Sequence, residues 1–83
     1  MKKPILTIEE LKKLQFVEIN GDKLDNDGYY RWWAFHKNDC ELHITYEYNS
    51  KDEFVLGYVE LNGEQLKGRE ITANDLNLLI ELM

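Results

Sequence analysis

From residue 29 to residue 61 apolar side chains recur at every second position, in runs separated by turn-forming residues, and this pattern dictates consecutive antiparallel strands. The clearest run is Cys40, Leu42, Ile44, Tyr46 and Tyr48, alternating with Glu41, His43, Thr45 and Glu47. Successive side chains of an extended chain point to opposite faces, so this run makes a strand with one dry and one wet side. Upstream, the chain is aromatic on both faces: Tyr29, Arg31, Trp33 and Phe35 fall on one, and Tyr30, Trp32, Ala34 and His36 on the other. Such a strand needs cover on both sides, which makes it central in its sheet or exposed to a partner. Asn38-Asp39 and Asn49-Ser50-Lys51-Asp52 are turn clusters, so strands at 29–37, 40–48 and 53–61 follow one another as a meander. Gly57 marks a bulge or the close approach of another backbone.

Helix signals bracket the sheet. Thr7 is placed as an N-cap, with Glu10 completing a capping box and Leu6 stapled to Leu11; Thr72, Asp75, Ile71 and Leu76 repeat this arrangement. Ile8, Leu11 and Leu14 form the apolar stripe of the first helix, and Leu76, Leu79, Ile80 and Met83 that of the second. The segments 16–24 and 58–66 echo each other, each a short strand, an Asn-Gly dipeptide (Asn20-Gly21, Asn62-Gly63) suited to a type I′ turn, and a return strand. The echo stops at their flanks, so two hairpins that share turn chemistry explain it without a duplication.

These elements predict a single α+β domain over residues 1–83. A four- to five-stranded antiparallel meander lies between an N-terminal and a C-terminal helix (α-β-β-β-β-α), with a further short strand near 64–66 and both helices on one face. The core is expected at Leu11, Leu14, Phe16, Leu42, Ile44, Leu56, Leu76, Leu79 and Ile80. With 83 residues there is one core to build, and 43% hydrophobic against 31% charged residues with a single proline is a globular balance. Cys40 is the sole cysteine, which excludes an internal disulfide and suits a reducing cytoplasm. The stretch Met1-Lys2-Lys3-Pro4-Ile5-Leu6 turns polar too soon for a signal peptide or membrane span, so a cytoplasmic protein is expected.

Ten Lys and Arg against sixteen Asp and Glu give a formal charge of −6. That charge opposes direct binding to nucleic-acid phosphates and favours a basic protein partner, including the positive groove of a host protein that itself handles nucleic acid. It also serves ordinary solubility.

Motifs for chemistry are scarce. His36, Cys40 and His43 are zinc-ligand types, but positions 40 and 43 of a strand face opposite ways and a fourth ligand is lacking. The run Asp22-Lys23-Leu24-Asp25-Asn26-Asp27-Gly28 has a calcium-loop flavour, yet Lys23 stands at the first ligand position and Ala34 where a bidentate Glu belongs. Glu41, Glu47 and His43 share a wet strand face and could form an acid–base group; solvated surface charge is the plainer reading. No metal, no cofactor and no enzymatic activity are expected.

Tyr29-Tyr30-Arg31-Trp32-Trp33 is the most informative segment, because Tyr, Trp and Arg dominate binding energy at protein interfaces and a small core cannot hide them all. With its capped helices, Asn-Gly hairpins, aromatic meander and acid excess, the chain resembles the small orphan proteins of bacteriophages and prophages, of which the anti-CRISPR inhibitors of host defence are a well-known group. That resemblance implies a non-enzymatic inhibitor that binds a host protein such as an RNA-guided nuclease. The expectation from the residues is a protein-binding inhibitor or regulator, with Tyr30, Trp32, His36, Glu41, His43 and Glu47 contacting a basic partner. The alternative is a structural or assembly module, a homodimer formed through a sheet edge or the aromatic strand.

Overall fold

The structure, a computed structural model, describes residues 3–68 and 70–83. Met1 and Lys2, which open the stretch read for an export signal, lie outside the described residues, as does Arg69. The elements run α1 (Ile8–Lys13), β1 (Val17–Ile19), β2 (Tyr29–Lys37), β3 (Cys40–Tyr48), β4 (Phe54–Leu61), β5 (Glu64–Gln65) and α2 (Ala73–Leu82). The five strands form one antiparallel sheet whose order, β1-β2-β3-β4-β5, is the order of the chain. This is the α+β meander that the periodicity predicts, with the short strand near residue 64 present.

Turn chemistry explains the tight connections. Asn38 and Asp39 both adopt positive φ (51° and 63°), as do Asn62 and Gly63 (51° and 85°), so each two-residue link matches the twist of its flanking strands. Between β3 and β4, Asn49 organises the loop: its Oδ1 accepts hydrogen bonds from the backbone N–H groups of Lys51 and Glu53. The first Asn-Gly behaves differently. Gly21 has no positive φ, and the 22–24 segment bonds to the start of β2, with Tyr30 N–H donating to the Asp22 carbonyl and Leu24 N–H to that of Gly28. The expected hairpin over 16–24 is thus replaced by a loop over 20–28. Gly21 is needed there because a Cβ would lie 1.8 Å from the Tyr30 carbonyl oxygen.

Both capping boxes form. Thr7 accepts from Glu10 N–H while the Glu10 carboxylate accepts from Thr7 N–H, and Thr72 and Asp75 do the same for α2. Helix α2 has no basic residue in its last turn. The β2–β3 hairpin supplies the missing donors: Lys37 Nζ donates to the Ile80 carbonyl at 2.9 Å and Asn38 Nδ2 to that of Met83 at 3.0 Å.

Both helices pack on the face that carries Trp33, Leu42, Ile44, Tyr46 and Val59, where Leu6, Leu11, Phe16 and Leu76 complete the buried core. Leu14, Leu79 and Ile80 pack against this core half-buried. The Tyr46 hydroxyl is buried with it, accepting from Leu6 N–H at 3.0 Å and donating to the Leu6 carbonyl at 2.7 Å. Leu56 does not belong to the core. The β3–β4 register pairs Glu47 with Leu56 but Tyr48 with Phe54, so Val55 is an extra residue, a bulge that puts Phe54 inside and Leu56 on the opposite face. Gly57 sits one residue beyond Leu56, where a Cβ would come within 2.9 Å of the Tyr46 ring; it makes room for a side chain and not for another backbone.

Candidate functional site: an uncovered sheet face

The other face of the sheet has no helix packed on it among the described residues. Strand registers place its side chains in transverse rows. Ile19, Trp32, Thr45 and Tyr58 form the central row. Val17, Ala34, His43, Glu60 and Gln65 flank it on one side and Tyr30, Glu47 and Leu56 on the other, with His36 opposite Glu41 beyond. All six residues predicted from sequence as partner-contacting (Tyr30, Trp32, His36, Glu41, His43 and Glu47) thus share this face. Val17 and Ile19 are 63% and 37% exposed, and Tyr30, Trp32 and Tyr58 are half-buried.

The rings are held in place. Trp32 Nε1 donates to the Asn20 carbonyl at 3.2 Å, which ties the indole to the loop after β1. The His43 ring rests against Trp32 with centroids 4.9 Å apart, and its Nε2 lies 2.8 Å from Glu41 Oε1. That bond holds the Glu41 carboxyl below the usual carboxylate range. The Tyr58 phenol is pushed up by burial and, further, by the nearby Glu47 and Glu60 charges, while its hydrogen bond to Thr45 pulls it down.

Charge on this face is one-sided. Glu41, Glu47 and Glu60 lie on it, whereas the Lys and Arg of the strands, Arg31 and Lys37, point to the helix-covered side opposite Tyr46 and Cys40. There Arg31 forms a two-pronged ion pair with Glu18, at 2.8 and 2.9 Å, and lies 5.2 Å from the Trp33 ring centre. Such a surface can hold flat apolar groups and cations. Cys40 shares the inner side with Leu42, so it does not converge with His36 and His43; among the described residues no group of three or more His, Cys, Asp or Glu is placed to hold a metal ion. Among them, too, no helix is long and apolar enough to cross a membrane.

Sequence reading missed Tyr58, Glu60 and Leu56 at this site. Glu60 was the available signal: it alternates with Val59 and Leu61, so a wet Glu60 puts Tyr58 and Leu56 on its own face. A larger hollow of about 330 Å³ runs along the β4 edge past Lys3, Ile5, Gly57, Leu66 and Ile71, and contains none of the predicted site residues.

The site and fold therefore define a class, an α+β domain with an aromatic, acidic sheet face left open. No protein-family model, no curated protein and no solved structure matches the chain.

Proposed function

We propose that the chain is a non-enzymatic inhibitor or regulator that works in the cytoplasm by docking its open sheet face on a basic protein surface. Nucleic-acid-handling proteins present surfaces of this kind, and an RNA-guided host nuclease is the instance that the resemblance to phage inhibitors implies. The observation that carries the reading is the exclusion of strand cations from the open face: Glu41, Glu47 and Glu60 lie on it with no Lys or Arg, while Arg31 and Lys37 lie behind it on the side of Glu18 and Glu64. In plan the face spans about 500 Å², from strands of 3, 9, 9, 8 and 2 residues about 4.8 Å apart that rise about 3.3 Å per residue, the size of a small, transient interface. Trp and Tyr at its centre are the residue types on which such interfaces depend most.

The second reading, self-assembly, is favoured by exposed Val17 and Ile19 on edge strand β1. A two-fold face-to-face dimer would nevertheless bring both copies' Glu41, Glu47 and Glu60 together, with imidazoles alone to offset them. The test is affinity capture from the lysate of the native host with wild type, Trp32→Ala, the triple charge reversal Glu41→Lys/Glu47→Lys/Glu60→Lys and the helix control Glu9→Lys. The expected result is a protein retained by wild type and Glu9→Lys, weakened about tenfold or more by either face variant, with the triple variant losing its salt dependence. A captured protein held equally by all four would refute docking through this face.

A further inference from the structure

At the centre of the open face a short side chain, Thr45, lies between two large ones, Trp32 and Tyr58, on adjacent strands. The result is a trough of about 290 Å³ with Thr45 as its floor, 6% exposed, closed by Tyr30, His43 and Glu60. This volume falls just below the range for small-molecule sites, about 300–1,000 Å³, and suits a single side chain. The indole wall is fixed by its bond to the Asn20 carbonyl. His43 is turned away to Glu41, and the ion pairs among the described residues, Arg31 with Glu18 and His43 with Glu41, leave Glu60 and Glu47 without a cation. Both carboxylates are near enough to act on the Tyr58 phenol. Three aromatic rings and two carboxylates without a counter-charge are a setting that attracts an organic cation and offers little to an anion.

From this geometry we infer that the trough is a seat for one cationic side chain of the partner, the guanidinium of an Arg or the ammonium of a Lys, held between Trp32 and Tyr58 with Glu60 as its counter-charge. The inference rests on the docking reading and names the group that anchors it. Titrating the full chain at low ionic strength with N-acetyl-arginine amide, N-acetyl-lysine amide and the neutral isostere N-acetyl-citrulline amide tests it. The readout is the Trp32 indole N–H signal by NMR, with buried Trp33 as internal reference. At least one cation should shift the Trp32 signal saturably and bind about tenfold more tightly than citrulline. Glu60→Gln should remove that preference while the near-ultraviolet circular dichroism of the Trp33–Tyr46 core stays unchanged. The arginine and lysine arms decide which cation the seat prefers. Citrulline binding as well as the cations, or a Trp32 signal that none of them moves, would overturn the seat. If that happened while the face variants still lost the captured protein, docking through the face would stand without this anchor; a working seat on a face whose variants keep the captured protein would sink the docking reading instead.

Discussion

Tyr46 shows how much one side chain can hold. Its ring is buried between Trp33 and Phe54, and its hydroxyl satisfies both the N–H and the carbonyl of Leu6 across 40 residues. Tyr46→Phe leaves both backbone groups buried without a partner, and should cost about 2–3 kcal/mol in urea unfolding. Burial pushes the Tyr46 phenol up to about 12. An unfolded Tyr titrates near 10, so the stabilisation is complete below about pH 10 and is lost as pH rises toward 12. Stability measured across that window should fall for wild type and fall less for Tyr46→Phe; equal slopes would show that the phenol ionises alike in both states. Tyr29, Tyr48 and Tyr58 are also pushed up and keep a residual slope in the variant. Trp33 is a contrasting case: its Nε1 is buried with no hydrogen-bond partner among the described residues, so the ring is kept for its packing and not for its polar edge.

Among the elements, β4 bears the most local constraint. Gly57→Ala would gain chain stiffness, worth under about 1 kcal/mol, but its Cβ would press on a Tyr46 ring that the Leu6 bonds prevent from moving. Overpacking should win, with a net loss of about 1–3 kcal/mol by thermal or urea denaturation; an unchanged midpoint would mean that the ring can yield. The same strand marks the edge of what local sequence can say. The extents of β2 and β3 and both capping boxes were legible because period, turn residues and caps are local signals. Leu56 reads as inward when parity is counted from Phe54, and the Val55 bulge, which exists only in the pairing with β3, reverses that parity. The turn at Asn20-Gly21 failed for a related reason: the 22–24 segment bonds to residues that come after it, a choice a dipeptide cannot encode. At the site, the side chains of β2 and β3 are legible in sequence alone, and those of Tyr58 and Glu60 are legible only when alternation is counted back from Glu60, because the bulge at Val55 reverses a count that starts at Phe54.

In the whole molecule, the asymmetry between the two sheet faces governs association. One face carries both helices, and the other combines exposed apolar groups with three carboxylates, Glu41, Glu47 and Glu60. Repulsion among these groups should keep the chain monomeric in light scattering at low salt. Their neutralisation in Glu41→Gln/Glu47→Gln/Glu60→Gln should shift it toward dimers at the same concentration. A wild-type dimer that shields Trp32 would instead support the assembly reading. The order of the sheet has a consequence for how the chain acquires its form. Since each strand lies beside its predecessor, the meander can zip up from its two-residue turns at little loop-closure cost, ahead of the long-range contact of Leu6 with Tyr46. A nascent chain paused at that stage displays bare rings on both surfaces at once, so its hazard of sticking to neighbours is concentrated in the interval before the helices dock.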